Sequence, residues 1–537
     1  MIKRIFKVIL VPVLMLEAAA FAQSIPTTLH PVEETYRRAQ LAGKLDSSVS
    51  FTIRPLTASL AFCGDSSSTE LNKWTGYTGI RSTNAKSGIG VLPLTWNQQY
   101  NSKVPYGWND GAMIPGRGYQ TLVSGGFFAK LGFLSIQLKP EFVFAENKDF
   151  QAIDIYNGKP DLPSRFGNSS YSQASWGQSN IRLTFGPVSM GLSNENLWWG
   201  PGTRNSLLMS NNAAGFKHLT INSAKPVKTW IGSFEFQMIS GRLDGSGFSP
   251  LESDTTYNDW RYLSSFSISY QPKVIPGLFF GLSRSFQAYN QSLNSVSDYI
   301  PLFAPFQKVK ISTDPGGLDQ KDQLISTYVR WLFPKSKAEV YFEYGINDHS
   351  HNFRDFIMSP EHSRTYLFGL RKLVELNKPD QMLEINAEVT QMSQTMDRIV
   401  RAAGGWYEHG QIFRGYTHKG QVLGAGTGRG GNLQSFDVSW VKGIKKVGFQ
   451  FERYVHDNDH YDAFINDLNG HSRRWVDFGF AAIGTWDFNH LLLNAKLQGI
   501  QSLNYQWQMK NYTPDSYYIP ENDIFNVHAE LGVTYRF

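Results

Sequence analysis

Val527-His528-Ala529-Glu530-Leu531-Gly532-Val533-Thr534-Tyr535-Arg536-Phe537 alternates residue by residue. Val527, Ala529, Leu531, Val533, Tyr535 and Phe537 share one face, and His528, Glu530, Thr534 and Arg536 share the other, the period-two pattern of a strand with one apolar side. In a transmembrane barrel the apolar side meets lipid and the polar side meets a wet lumen. A soluble sandwich would turn the apolar side inward, and periodicity alone does not separate the two.

The ends of the chain favour the barrel. A strand finishing on Phe537 is similar to the terminal signal of bacterial outer-membrane barrels. Lys3, Arg4 and Lys7 precede an apolar run from Val8 to Leu16, and Ala20-Phe21-Ala22 forms a small-residue cleavage site, so residues 1–22 read as a signal peptide despite Glu17. No cysteine stands directly after the expected cut, so a lipid anchor on the new N-terminus is not expected. The single Cys63 has no partner for an intramolecular disulfide or a cysteine metal cluster and reads as a plain thiol.

Composition narrows the class further. The 537 residues are 41% hydrophobic and 18% charged, with mean hydropathy −0.32, and no run after the leader is long enough for a helical span. Aromatics at 14% and 48 glycines suit short strands, turns and interfacial girdles. The formal charge of +6 becomes +4 without the leader, and no Lys/Arg block gives a nucleic-acid footprint.

Eight short turns rich in Lys, Pro and Gly punctuate alternating segments: Lys130-Leu131-Gly132, Gly186-Pro187, Lys225 to Lys228, Pro272 to Gly277, Pro334 to Lys337, Asn377 to Asp380, Lys442 to Lys446 and Asp487-Phe488-Asn489. With short periplasmic turns and long outer loops, that rhythm corresponds to roughly 18 strands. The long connections fall near 144–176, 197–215, 240–260, 287–321, 347–363, 391–432, 456–474 and 499–525, with one more before Gln120. The expected organisation is a signal peptide over 1–22, an N-terminal periplasmic segment over 23–85 and an antiparallel outer-membrane β-barrel over 86–537. Within the second part, His30 to Gly43 reads as a short helix, with Pro31 in its first turn and Gly43 near its end, placed on the periplasmic side.

One segment gathers unusual residues. A strand of about ten residues after Gly186-Pro187 would carry Trp198 and Trp199 to the outer end or upper lumen, with Arg204, Asn211 and Asn212 following. Adjacent indoles beside amides and a guanidinium suit a sugar, whose apolar face packs on an indole and whose hydroxyls pair with planar polar groups. An interfacial girdle with a rigid Gly-Pro-Gly turn accounts for the same residues. Asp348, His349, His351 and Asp355, and likewise His456, Asp457, Asp459, His460 and Asp462, supply metal donors if they converge and are otherwise solvated loops. Glu408, His409 and His418 lack any accompanying nucleophile elbow, paired-carboxylate or zinc-helix motif. Gly424 to Gly431 reads as a flexible outer loop rather than a phosphate cradle.

Asn194 to Ala213, with Trp198-Trp199-Gly200-Pro201-Gly202 at its centre, resembles the signature of the capsule-assembly (Wzi-type) outer-membrane proteins. The resemblance extends to Pro105 to Gly111, Phe342 to Asp348, Trp406 to Gly410 and Gly415 to Gly420. It implies an 18-stranded, partly occluded barrel acting as a lectin for exported capsular polysaccharide. The strand count from the turns and this implication form one line of support, not two. The reading is a non-enzymatic glycan-binding barrel without cofactor or metal, with Trp198, Trp199, Arg204, Asn211, Asn212, Trp406, Tyr407 and His409 as candidate contacts. Capsular or exopolysaccharide, outer-membrane lipids and polysaccharide export machinery are the candidate partners, nucleic acid is not one, and a monomer is expected. The alternatives are a channel for sugars or small anions, and, last, a hydrolase using loop His and acidic residues.

Overall fold

A computed structural model describes residues 24–28, 30–57, 78–81, 87–152, 160–248, 260–293, 299, 321–347, 353–378, 380–394, 405–465, 473–508 and 523–537. The signal-peptide reading over 1–22, Cys63, and the loop donors Asp348, His349 and His351 fall outside the described residues.

Eighteen antiparallel wall strands close on themselves. They are β1 (Ser87–Asn101), β2 (Gly118–Leu131), β3 (Leu134–Leu138 with Glu141–Ala145), β4 (Tyr171–Ser175 with Asn180–Phe185), β5 (Val188–Ser193) and β6 (His218–Ser223). Next come β7 (Gly232–Leu243), β8 (Arg261–Pro272), β9 (Leu278–Tyr289), β10 (Lys321–Phe333), β11 (Ala338–Asn347) and β12 (Arg364–Glu375). The last are β13 (Gln381–Gln391), β14 (Asn432–Lys442), β15 (Lys445–Val455), β16 (Val476–Phe488), β17 (Leu491–Leu503) and β18 (Ile524–Tyr535). Closure is made by β18 on β1, with His528 opposite Asn101 and Tyr535 opposite Leu94.

The alternation decides which face is wet. On β11, Glu339 and Glu343 are buried inside the barrel while Phe342 faces outward, 41% exposed. Phe368, Phe436, Phe449, Phe480 and Leu497 continue the exposed apolar band around the wall, as expected of a surface whose solvent is hydrocarbon. All eight predicted short turns join neighbouring strands. In the two-residue turns Gly186-Pro187 and Gly443-Ile444, the glycine takes φ +58° and +57°, the first-position requirement of a hairpin turn that matches strand twist.

The wall is not of even height. β5, β6 and the lower piece of β4 have six residues each, against twelve in β7 and β8. At ~3.3 Å per residue this is roughly 20 Å against roughly 40 Å of strand.

Two bodies fill the lumen. From the short-turn end enters α1 (His30–Leu41), which buries Val32, Thr35, Tyr36, Arg37, Arg38, Gln40 and Leu41. Gly43, at φ +74°, ends it, and Lys44 N–H reaches back to Ala39 O at 2.8 Å. Val32 and Tyr36 pack with Ile444 and Leu492, and Leu41 with Phe279, Leu332 and Leu373, all near the short-turn rim. A charged net then ties helix to wall: Arg37 to Glu339 at 2.7 Å, Arg330 to Glu339 at 2.5 Å, Arg38 to Glu384 at 3.4 Å, Arg371 to Glu384 at 3.2 Å and Lys446 to Glu34 at 3.3 Å.

From the other end, the connections 194–217 and 405–431 turn inward rather than standing out as surface loops. Leu197, Trp199, Leu207, Leu208, Met209, Trp406, Tyr407, Tyr416, Val422 and Leu423 form an apolar core against Ile239, Leu243, Leu263, Leu324 and Leu367 of the wall. The glycine-rich stretch belongs to this core and is not a free outer loop. A Cβ on Gly424 would collide with Leu207 O and the Tyr407 hydroxyl, and one on Gly426 would lie 2.5 Å from Trp108 Cβ, so these glycines serve close packing.

Candidate functional site

The inward turn at Asn194 explains where the tryptophans go. β5 ends at Ser193, after six residues rather than ten, because Glu195 is drawn into the lumen. Its buried carboxylate pairs with Arg182 at 2.8 Å and accepts from Ser193 Oγ at 2.8 Å and from Ser24 Oγ. Trp198 and Trp199 therefore lie in the middle of the plug, 2% and 0% exposed, instead of at the outer mouth. They pair as a short antiparallel strand with Arg54 and Ile53 of the N-terminal segment. The Arg54 guanidinium stands 4.7 Å from the centre of the Trp198 ring, pairs with Glu33 at 2.5 Å and donates to Gly200 O and Gly202 O at 2.9 and 3.1 Å. Trp199 Nε1 donates to Gln237 Oε1 at 2.8 Å. Neither indole offers an open face to a sugar.

The residues after them bind chain to chain. Backbone N–H groups of Thr203, Arg204 and Asn205 all converge on the Glu388 carboxylate, at 2.7, 3.0 and 2.9 Å. Arg204 pairs with Glu452 and lies over the Trp108 ring at 5.7 Å. Asn211 Nδ2 donates to Asn109 O at 2.8 Å, and Asn212 Nδ2 donates to Val422 O at 2.9 Å. Trp406 Nε1 donates to Ser363 O at 2.7 Å, and the Tyr407 hydroxyl donates to Leu207 O while accepting from Ala425 N–H. His409 is partly exposed, and its Nδ1 accepts from the amides of Gln411 and Ile412 at 3.2 Å each.

Connections 102–117, 194–217 and 405–431 are thus knitted into one platform. Trp198, Trp199, Asn211, Asn212, Trp406 and Tyr407 form its interior, and only Arg204 and His409 of the eight candidates keep part of their side chains accessible. The sequence reading missed Arg54, Glu195 and Glu388, the ionic clamps of the platform. Each acts on a segment far away in sequence, so no local motif marks it.

Between α1 and the platform a polar chamber of about 220 Å³ remains, lined among others by Glu34, Asp110, Arg204, Arg371, Lys446, Lys496 and Glu530. Burial, and then the charge of Glu530, push the Asp110 carboxyl up to about 7, while the Gln99 amide bond, Lys496 and Arg204 pull the other way.

The loop donors scatter. His456 stacks on Trp475 with ring centres 3.5 Å apart and lies 2.7 Å from Asp477, Asp457 pairs with Arg429, and Asp462 pairs with Arg474. Among the described residues, no three His, Cys, Asp or Glu side chains gather as a metal set.

A closed 18-strand wall with an outward apolar band and a lumen filled from both ends defines a plugged outer-membrane β-barrel. The family model described as capsule assembly protein Wzi matches residues 109–496, and the chain belongs to that family. Among solved structures, it is similar to Wzi of Escherichia coli, described as an outer-membrane protein involved in group 1 capsule assembly and a carbohydrate-binding β-barrel. That match has 14% identity and a TM-score of 0.59, covering 96% of this chain and 98% of that one. OprB of Pseudomonas putida matches at 11% identity and a TM-score of 0.37, over 87% of this chain and 96% of that one. No curated protein sequence matches this chain.

Proposed function

We propose that this barrel holds capsular or other surface polysaccharide at the cell surface, without passing it through the lumen and without cleaving it. The observation that carries this reading is the filled lumen. An 18-strand wall is wide enough for an aqueous channel, yet here the outer half is apolar core and the inner half a helix clamped by buried ion pairs. That construction supports retention over passage of sugars or small anions. The carbohydrate binding ascribed to the similar Escherichia coli barrel supports the same class of ligand.

In this reading His409 touches glycan directly, and Arg204, which faces the chamber beneath the platform, acts through its ion pair with Glu452. Trp198, Trp199, Asn211, Asn212, Trp406 and Tyr407 act through the platform they hold together. Many weak contacts along a repeating polymer give avidity without a deep pocket. The barrel acts as a monomer among outer-membrane lipids, and the machinery that exports the polysaccharide is its proposed partner.

The test is binding of the detergent-folded barrel to polysaccharide extracted from its host's surface, with Trp198→Ala/Trp199→Ala alongside. Removing two buried indoles opens a cavity inside the platform, at ~3–5 kcal/mol each in a packed site. Glycan should be released while the wall strands stay assembled. Undiminished retention by a correctly folded double variant would remove these two residues from the account.

A further inference from the structure

Where β5 stops early, the upper wall is open. Asn194 leaves the top of β5, Gly215, Phe216 and Lys217 lead into β6, Ser175 and Trp176 sit at the break in β4, and Arg242 and Asp244 lie at the top of β7 and just beyond. With His418 and Lys419 from the inward loop, these residues enclose a lateral cleft of about 550 Å³, larger than the chamber beneath the platform. The segment that would have completed the wall was drawn inward as plug, and the cleft is what that exchange leaves.

Its chemistry is specific. Trp176 is 59% exposed, with no aromatic neighbour covering it among the described contacts. Lys217, Arg242 and Lys419 bring three positive charges, and Asp244 is the single carboxylate among the described lining residues. That carboxylate is already engaged, 2.7 Å from Arg242 Nε. Arg242 is further held over the Trp260 ring at 5.1 Å. Burial, and then the repulsion of Lys217, depress the Lys419 ammonium below its ordinary value while Asp244 pulls the other way, so one carboxylate faces the three cations of this space. His418 Nδ1 accepts from Asp244 N–H at 3.1 Å, which places the ring proton on Nε2. His418 is 2% exposed, lies on the cleft wall and has no acceptor for that proton among the described residues. Burial, and then Lys419, hold its pKa down to about 3, so the imidazole is a neutral donor.

We propose that this lateral cleft binds a carboxylate-bearing sugar of the retained polysaccharide. Trp176 stacks on the apolar face of the ring, and Lys217 and Lys419 flank the carboxylate. The floor is polar loop, with Asn194 and His418, rather than an apolar trough for acyl chains, which favours a saccharide over a lipid. The assignment rests on the polysaccharide-retention reading, and its test separates the two.

The experiment uses the detergent-folded barrel and polysaccharide extracted from its host's surface, native and after chemical reduction of its carboxyl groups. Wild type, Lys217→Gln/Lys419→Gln and Trp176→Ala are compared, with folding checked by heat-modifiable gel mobility. Wild type should bind native polysaccharide about tenfold tighter than the carboxyl-reduced form, a difference of ~1.4 kcal/mol. The double glutamine variant should lose that preference while still binding reduced polysaccharide, and Trp176→Ala should weaken both. Equal wild-type binding of the two forms, or an unchanged preference in the lysine variant, overturns the cleft assignment and leaves retention standing. Lysine-dependent binding of lipopolysaccharide micelles with no lysine effect on polysaccharide also overturns it. Failure of wild type to bind either polysaccharide overturns both readings.

Discussion

The most constrained single residues sit where the platform meets the wall. Gly200 takes φ +108°, and a Cβ there would lie 2.6 Å from a Glu343 carboxylate oxygen. Gly200→Ala should therefore cost ~1–3 kcal/mol and lower the temperature at which the barrel loses its compact gel mobility. Mobility matching wild type would contradict the packing described here. Asp110 makes a pH statement. Its carboxyl is raised from 3.8 to about 7, so the folded state holds this proton more tightly than the unfolded chain does. The resulting stabilisation is complete below the unfolded value of 3.8 and is lost as pH rises towards 7. Asp110→Asn keeps a neutral group throughout. The thermal midpoint of wild type, measured against that variant, should fall between pH 4 and pH 7 and level off above; a constant difference across that range would refute the assignment.

Legibility divides sharply between the elements. Wall strands and short turns were readable because their signals are local. Period-two alternation on β11, β13 and β18, and Gly186 or Gly443 at a turn, depend on neighbours within a few residues. The helix over 30–41 was legible for the same reason, through Pro31, its early acids and Gly43. The fate of the long connections was not readable. Whether 194–217 stands out or folds in is decided by Glu195 meeting Arg182 and by Arg54 meeting Gly200 O, contacts that no spacing rule exposes. Burial of Trp198 and Trp199 follows from those contacts, and an early end to β5 follows with it. At this scale α1 carries its own prediction. Glu339 joins Arg37 and Arg330, so Glu339→Ala leaves two buried guanidinium groups without their anion, at ~3–5 kcal/mol. The helix should loosen from the wall, and planar-bilayer recordings should show frequent openings absent from wild type. Quiet recordings from a folded variant would mean that the ion net does not hold the plug.

Across the whole molecule, one length of chain is shared between two tasks. Residues 194–217 leave the wall to fill the lumen, so the barrel gains a plug and gives up half the height of its wall at β5 and β6. In the proposed reading that exchange makes a cylinder of this width a base for loops rather than a conduit. The outward apolar band anchors the base in lipid, and the polar groups of the platform and cleft remain on the side away from the short turns. The measurement that tests retention most directly is made on a single preparation of wild-type barrel, recording both saturable binding of its host's surface polysaccharide and single-channel conductance. Saturable binding together with a closed lumen is the predicted result, whereas a steady open conductance without binding would contradict the account.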